Sequence, residues 1–424
     1  MPALPPRRRR PRLTPAPGGA GPPVAAPAAG AAAGARPPGI HRRGTGMGPS
    51  TCGDEPAGEP PRRGIAMRVV VTGATGNIGI STVRALAEDP AVTEITGLAR
   101  REPGPGAARE ADPGGTGKPR WAEADVTDTD LVPLMRGADV VVHLAWLFQP
   151  THRPAVTWDS NAVGSARVFD AAARAGVPAL VYSSSVGAYS PGPKDRAVDE
   201  SWPTHGWPEA AYSREKAYVE RLLDVFEAAD PDRRVVRLRP GFIFERQSAG
   251  EQRRLFAGPL LPGRLARPGL IPVVPDLPGL RLQVLHSADA GQAFRLAATG
   301  RARGAFNLAA DPALDAAELA DLLGARTVRL PARGVRAALA AAWNLHLVPA
   351  SPALLDLALR VPLMDTARAR AELGWTPRHT ARETITEFLE GLRTGAGRDT
   401  PPLSPDTGGR LRGREFATGV GRRA

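Results

Sequence analysis

The chain has 424 residues, with 55 Lys and Arg against 43 Asp and Glu, and a formal net charge of +12 at pH 7. Ten of the arginines, against three acids, lie in residues 1–66, so much of the positive charge is remote from the core pattern. The single cysteine, Cys52, lies in the same stretch, which excludes a disulfide framework, a thiolate metal cluster and a cysteine nucleophile in the core.

Both ends of the chain have the composition of disordered segments. Residues 1–66 are dominated by Ala, Pro, Gly and Arg, and such a stretch cannot bury enough apolar surface to offset the entropy of ordering. We predict disordered tails at 1–66 and 396–424. The arginine run at 7–10 could attract nucleic acid or an acidic membrane, but a solvated tail is the simpler interpretation.

No targeting or membrane signal stands out in the sequence. It contains neither a signal-peptide core nor an apolar run of about 18 residues. The core lacks the basic surface, interleaved with aromatic residues, that is typical of nucleic-acid binding. We therefore expect a cytoplasmic protein with a small-molecule substrate and with neither a membrane nor a nucleic-acid partner.

The first predicted elements are a β-branched strand at 69–71, a glycine turn and a helix at 78–88. Gly73 permits the turn, Gly76 lets the backbone approach a pyrophosphate, and Gly79 lets helix and strand pack closely. The helix N-terminus offers free N–H groups to the anion. This order of elements predicts the phosphate cradle of a dinucleotide-binding unit.

Strands and helices alternate from there to residue 240. The predicted strands are 93–98, 120–123, 140–144, 179–183 and 235–238, and the predicted helices are 161–175 and 212–228. The Gly- and Pro-rich residues 102–119 indicate a flexible insertion. The alternation predicts an α/β fold, a Rossmann-type doubly wound parallel sheet with right-handed crossovers.

Beyond residue 241 the pattern is less regular. It predicts strands at 282–285 and 305–308 and helices at 288–299, 315–323, 334–345 and 380–393. We assign 67–240 to the dinucleotide-binding domain, with return elements at 282–308, and 241–395 mainly to a smaller substrate lobe over the carboxyl edge of the sheet.

Tyr212 and Lys216 lie four positions apart in a chain with only four tyrosines and three lysines, which makes the spacing informative. A helix places such a pair on one face, and a nearby ammonium favours the phenolate and lowers the phenol pKa. The pair therefore predicts an acid/base for a substrate hydroxyl. The purely structural alternative is a packed tyrosine beside a solvated lysine.

These motifs resemble, over about residues 67–393, the extended short-chain dehydrogenases/reductases of the NAD-dependent epimerase/dehydratase type. The resemblance rests on the glycine turn, the Tyr–Lys pair and four further motifs: Asp125-Val126-Thr127-Asp128, His143-Leu144-Ala145, Ser183-Ser184-Ser185 and Arg239-Pro240-Gly241. A closing Leu373-Gly374-Trp375 extends it.

The resemblance implies a role for each matching position. Ser185 would bind the reacting oxygen, Tyr212 would be the acid/base, and Lys216 would lower its pKa and hold the nicotinamide ribose. The implied cofactor-binding residues are Gly73, Thr75, Gly76, Asn77, Ile78, Gly79, Arg100, Asp125, Val126, Leu144, Ala145, Asn161, Ser183, Tyr212, Lys216, Pro240, Phe242 and Ile243. Asn161 matches a family asparagine, but an ordinary helix N-cap explains it equally well.

The cofactor is expected to be NAD or NADP. An acidic residue at the end of the second strand would accept the ribose hydroxyls of NAD, whereas this chain has Arg100 and Arg101 there. Because a guanidinium pairs well with a 2′-phosphate, Arg100 favours NADP slightly. The scattered histidines indicate no metal site, and His286 and Asp289 fit structural roles.

The resemblance implies hydride transfer at a secondary alcohol or ketone carbon, in a nucleotide-sugar epimerase or in a reductase of a hydrophobic carbonyl compound. Val186 and Gly187 replace the Asp-Glu pair of family dehydratases, which argues against sugar 4,6-dehydration. The apolar residues 146–148 favour a hydrophobic substrate. A non-catalytic NADP-binding regulator is a third interpretation. Analogy also implies a homodimer through the helices at 161–175 and 212–228.

Overall fold

Seven parallel strands form the main sheet of the computed structural model, which describes residues 66–148, 151–257 and 270–405. Within these ranges the strands are β1 (Met67–Thr72), β2 (Val92–Ala99), β3 (Pro119–Glu123), β4 (Val140–His143), β5 (Ala179–Ser183), β6 (Ala197–Val198), β7 (Arg234–Pro240), β8 (Phe242–Phe244), β9 (Val273–Asp276), β10 (Arg281–Leu282), β11 (Val284–His286), β12 (Gly304–Leu308), β13 (Leu314–Asp315), β14 (Arg326–Arg329) and β15 (Leu363–Met364).

The described helices cover both faces of this sheet and build the lobe above it. They are α1 (Asn77–Glu88), α2 (Pro105–Ala111), α3 (Val132–Met135), α4 (Pro154–Trp158), α5 (Gly164–Arg174), α6 (Ala211–Ala229), α7 (Ala249–Gln252), α8 (Ser287–Thr299), α9 (Ala316–Leu323), α10 (Ala332–Asn344), α11 (Pro352–Arg360), α12 (Ala367–Glu372) and α13 (Ala381–Thr394). None of them is long and apolar enough to cross a lipid bilayer.

The strand order in the main sheet is β3-β2-β1-β4-β5-β7-β12, and every neighbouring pair is parallel. From β1 the chain first adds β2 and β3 on one side of the sheet and then crosses over to add β4 on the other side. In doubly wound folds this point opens a crevice at the carboxyl ends of the strands, where ligands bind.

The core has one layer on each face of the sheet because side chains alternate along the strands. On β1, Val69 and Val71 pack with α1 and α8, whereas Val70 packs with α5 and α6. All four residues of β4, three valines and His143, are buried, as expected for a central parallel strand. Phe294 of α8 is completely buried in the first layer.

Short strand pairs connect the sheet to the lobe. β8 pairs with β11, β9 with β14 and β6 with β15, all in parallel, while β10 and β13 are antiparallel. Helices α10 and α11 pack against each other in the lobe. The predicted doubly wound parallel sheet is confirmed, and the proposed boundary between the sheet domain and the lobe stays a prediction.

Two segments differ from the sequence expectation. The range 102–119, predicted as a flexible insertion, contains α2, which begins with Pro105 and buries Ala107 and Ala111. Residues 396–405, predicted as part of a disordered tail, are packed, and Leu403 is fully buried. Composition missed both because their order comes from contacts distant in sequence. The predicted tails at 1–65 and 406–424 lie outside the described residues.

Candidate active site

A cavity of about 1020 Å³ opens at the carboxyl ends of the sheet strands. A crevice in this position is the usual ligand site of a doubly wound fold. It brings together the residues predicted from the sequence, with the exception of Asn161: Gly73, Thr75, Gly76, Asn77, Ile78, Gly79, Arg100, Asp125, Val126, Leu144, Ala145, Ser183, Ser185, Tyr212, Lys216, Pro240, Phe242 and Ile243.

The glycine turn after β1 is packed too closely for side chains. Gly73 has φ +72°, and a Cβ there would lie 2.6 Å from the backbone nitrogen of Ala145. A Cβ on Gly79 would overlap the carbonyl oxygen of Gly73. Gly73 therefore lets the turn approach the loop after β4, and Gly79 lets the start of α1 pack against the turn after β1.

The N-terminus of α1 fits a phosphate group. The first-turn amides of a helix have no intrahelical partner. Gly76, which precedes α1, provides no side-chain cap for them. Asn77, Ile78 and Gly79 of this turn line the cavity. Free amides and the positive end of the helix dipole together suit the diphosphate of a dinucleotide.

The other predicted cofactor contacts surround the ends of β2 and β3. Arg100 follows β2 directly and lines the cavity. The Asp125 carboxylate accepts hydrogen bonds from the backbone nitrogen (3.0 Å) and the hydroxyl (2.8 Å) of Thr127, which fixes the turn beside the cavity. Val126 lies next to it in the wall.

The side chains of Tyr212 and Ser185, the predicted acid/base and its partner, both line the cavity. Ser185 Oγ accepts a hydrogen bond from the backbone nitrogen of Gly187 at 2.9 Å. The position of the Tyr212 ring requires a glycine at 187, because a Cβ on Gly187 would lie 2.7 Å from the Cε1 atom of the ring. Burial raises the pKa of Tyr212 to about 12; the neighbouring Ser185 side chain opposes this rise and the charge of Glu215 adds to it.

Lys216 differs from the sequence expectation, which placed its ammonium beside the phenol and lowered the pKa of that phenol. Its Nζ donates to the carbonyl of Ser183 at 2.7 Å and to the hydroxyl of Tyr182 at 3.4 Å. It lies 6.0 Å from the centroid of the Tyr212 ring. The helix does place both residues on one side, but the buried carbonyl of Ser183 draws the ammonium towards β5.

Aromatic rings surround these polar groups. The Trp146 ring covers the Lys216 ammonium, with 3.4 Å from Nζ to the ring centroid, a strong cation–π geometry. The ring centroids of Trp146 and Phe148 lie 5.9 and 4.8 Å from that of Tyr212, both edge-on. Residues 146–148 line the cavity as an apolar wall beside Tyr212, as the sequence predicted for the cleft entrance.

Asn161 supports the site from outside the cavity. Its side chain accepts a hydrogen bond from the Leu147 nitrogen (2.7 Å) and donates to the Leu147 carbonyl (3.0 Å) and to the Glu215 carboxylate (2.7 Å). It lies within a π-helical turn at Asp159–Val163, so it is not a helix N-cap. Glu215, which sequence reasoning missed, thus connects Asn161 to the helix that carries Tyr212.

The far end of the cavity is formed by the lobe, and of the residues there the sequence indicated only Phe242 individually. Its apolar lining comes chiefly from β8, α10 and α11: Phe242, Phe244, Leu255, Phe256, Leu339, Leu354, Leu355, Leu357, Ala358 and Val361. Among the described lining residues at this end, Glu251 and Arg254 carry charge. The predicted helix at 334–345 corresponds to α10, but the sequence did not indicate which of its side chains face the cavity.

His143, at the end of β4, is a buried polar link below the site. Its Nδ1 lies 2.7 Å from the Thr72 hydroxyl and its Nε2 lies 2.9 Å from that of Ser165. Burial, with a smaller contribution from the Lys216 charge, lowers the pKa of His143 to about 3. The imidazole is therefore neutral in the folded protein.

Two further expectations concern residues outside the cavity. His286 caps α8 by accepting from the Ala288 nitrogen, and Asp289 accepts from the nitrogens of Arg378 and His379, so both have structural contacts. In the described part of the chain, no group of three or more His, Cys, Asp or Glu is placed to hold a metal ion. The homodimer stays a prediction.

Known proteins are similar to this chain in sequence over the part that contains the sheet and the cavity. Residues 69–308 match the model of the NAD dependent epimerase/dehydratase family. An uncharacterized protein of Mycobacterium tuberculosis is 25% identical over 332 residues, which cover 76% of this chain and 83% of that protein. The sterol-4-alpha-carboxylate 3-dehydrogenase (decarboxylating) of Saccharomyces cerevisiae is 39% identical over 111 residues, 25% of this chain and 30% of that enzyme.

Solved structures show the same fold. UDP-glucose-4-epimerase from Stenotrophomonas maltophila, with bound NAD, has a TM-score of 0.59 at 23% identity. The match covers 77% of this chain and 98% of that one.

The neutral state of His143 predicts acid-dependent stability. The imidazole of His143 binds a proton near pH 6.5 in the unfolded chain and only near pH 3 in the folded protein. The contribution of neutral His143 to the free energy of unfolding is therefore complete above pH 6.5. It should decline by roughly 1 kcal/mol per pH unit as the pH falls from 6.5 towards 3. Urea unfolding across this range measures the slope. His143→Asn should flatten it, whereas His205→Asn, at an exposed position, should leave it unchanged; equal slopes in all three proteins would contradict the assignment.

Proposed function

Since the chain belongs to the NAD dependent epimerase/dehydratase family, we propose that it is an NAD(P)-dependent oxidoreductase acting on a secondary alcohol or ketone of a hydrophobic compound. The observation that carries this proposal is the apolar enclosure of Tyr212 by Trp146, Phe148 and the lobe. A pocket with an apolar body and a few convergent polar groups selects an apolar ligand with one oriented oxygen.

The alternative is epimerisation of a nucleotide sugar, the substrate type in the name of the structural neighbour from Stenotrophomonas. A nucleotide sugar carries a diphosphate, which is usually bound by cations or free backbone amides. Among the described lining residues at the lobe end, Arg254 is the one cation, and it donates to the backbone carbonyls of Pro402 and Ser404. The sterol-carboxylate dehydrogenase among the relatives also agrees with a hydrophobic alcohol.

In this proposal the two hydroxyls handle the substrate oxygen. Ser185 and Tyr212 both line the cavity, and their side chains are neighbours at Gly187, so a substrate oxygen placed between them would bond to both. With a pKa near 12 the phenol carries its proton at neutral pH. It can therefore donate that proton to a ketone oxygen that becomes an alcohol, and accept it back in the reverse direction.

Lys216 and the aromatic wall set the surroundings of that proton transfer. When bound, the nicotinamide cofactor supplies or accepts the hydride. Gly73, Gly79 and the first turn of α1 would hold its diphosphate, and Lys216 would hold its ribose. The rings of Trp146 and Phe148 cover part of the Tyr212 ring with apolar surface, and an apolar surrounding strengthens polar contacts.

Tyr212→Phe should lower turnover about a thousandfold, because the phenolic proton is lost while the cofactor contacts remain. The assay is reduced-nicotinamide absorbance with a panel of hydrophobic secondary alcohols, their ketones and UDP-sugars. We expect turnover with the hydrophobic members. Tyr218→Phe, an exposed position on the same helix, is the matched control and should keep full activity. Full activity of Tyr212→Phe, or epimerisation of a UDP-sugar with no net absorbance change, would contradict the proposal.

Arg100→Ala should weaken NADP more than NAD. Arg100 directly follows β2 and lines the cavity, and its guanidinium would pair with the 2′-phosphate, which NAD lacks. The ratio of the dissociation constants for the two reduced cofactors should shift about tenfold towards NADH, a loss typical of one charge-assisted bond. Arg84→Ala, which removes an exposed arginine of α1, serves as the control. If the ratio of the two dissociation constants is the same in Arg100→Ala as in the wild type, the proposed preference for NADP through Arg100 is contradicted.

A further inference from the structure

The packed residues 396–405, here named the C-terminal strap, fold back on themselves after α13. Gly395 ends the helix with φ +68°. Inside the strap, the Arg398 nitrogen donates to the Leu403 carbonyl at 3.0 Å and the Ser404 nitrogen to the Thr400 carbonyl at 2.8 Å. Leu403 is fully buried. The strap is therefore a shaped element held by its own turn and by an apolar anchor.

One side of the strap lies against the segment that follows β2. The Gly104 nitrogen donates to the Asp399 carbonyl at 2.8 Å, and a Cβ on Gly104 would overlap the Asp399 carboxylate. In a doubly wound fold the end of this strand borders the adenosine ribose. The glycine thus lets the strap reach the rim of the cofactor crevice.

The other side lies against the segment that follows β8. The Arg254 guanidinium donates to the carbonyl of Pro402 at 2.9 Å and to that of Ser404 at 3.3 Å. Pro401 and Pro402, between the two rims, line the cavity. The strap therefore spans the crevice from the cofactor side to the lobe side.

An ion cluster centred on the buried Arg398 joins the two rims through the strap. Arg398, which is 8% exposed, forms ion pairs with Glu245 directly after β8 and with Glu110 on α2. One guanidinium nitrogen of Arg398 lies 2.9 Å from Glu245 Oε2 and 2.7 Å from Glu110 Oε1. A buried charge set of this kind contributes little net stability but fixes one arrangement of the groups it joins.

We infer that the C-terminal strap is one wall of the dinucleotide site and that Arg398 is the residue that positions it. A bound dinucleotide lies in the crevice between the glycine turn and this wall. The strap slows cofactor dissociation, because the cofactor leaves by the side that Pro401 and Pro402 cover.

The test is the rate of NADH or NADPH dissociation, followed by nicotinamide fluorescence after dilution, in a chain that ends at Ala396. Glu245→Gln accompanies this truncation so that no unpaired carboxylate is buried. We expect the dissociation rate to rise about tenfold or more while the melting temperature stays close to that of full-length Glu245→Gln. A second control ends at Pro405 and keeps the strap, and it should release cofactor at the full-length rate.

A second variant covers the case in which the truncated chain is unstable. Arg398→Met with Glu245→Leu keeps the whole chain and replaces the buried charges with apolar groups of similar size. We expect the same rise in the dissociation rate. An unchanged rate in either folded variant would overturn the inference. Because only the cofactor is present, the result is independent of the substrate class proposed above.

Discussion

The buried ammonium of Lys216 is the constraint on which the site depends. Lys216 is 3% exposed, and burial lowers its pKa well below the usual range. A charge in this position costs several kcal/mol unless its donors are satisfied. The Ser183 carbonyl, the Tyr182 hydroxyl and the face of Trp146 satisfy it. The end of β5, helix α6 and the loop after β4 are therefore held in one arrangement, which also places Tyr212.

The cavity that results has two chemically different ends. At one end the backbone amides and glycines around Gly73 and Gly79 provide a cradle for an anion. At the other end Phe148 and the lobe helices provide apolar surface. The hydroxyls of Ser185 and Tyr212 lie between them. This division agrees with a cofactor at the polar end and an apolar substrate whose single oxygen reaches the boundary.

Local rules predicted the parts of this site that depend on neighbours in sequence. The glycine turn and the Tyr212–Lys216 spacing followed from strand, turn and helix geometry. The direction of the Lys216 ammonium did not follow, because it is decided by Ser183 and Trp146, which are distant in sequence. Helix α2 and the C-terminal strap were missed for the same reason, since each is stabilised by the other through Arg398.

The most direct test of the account is the structure of a complex with cofactor and a hydrophobic secondary alcohol. We predict that the alcohol oxygen accepts or donates hydrogen bonds at both Ser185 Oγ and Tyr212 Oη, with its apolar body against α10 and α11. A complex in which the oxygen lies far from Tyr212, or in which a nucleotide diphosphate occupies the lobe end of the cavity, would contradict it.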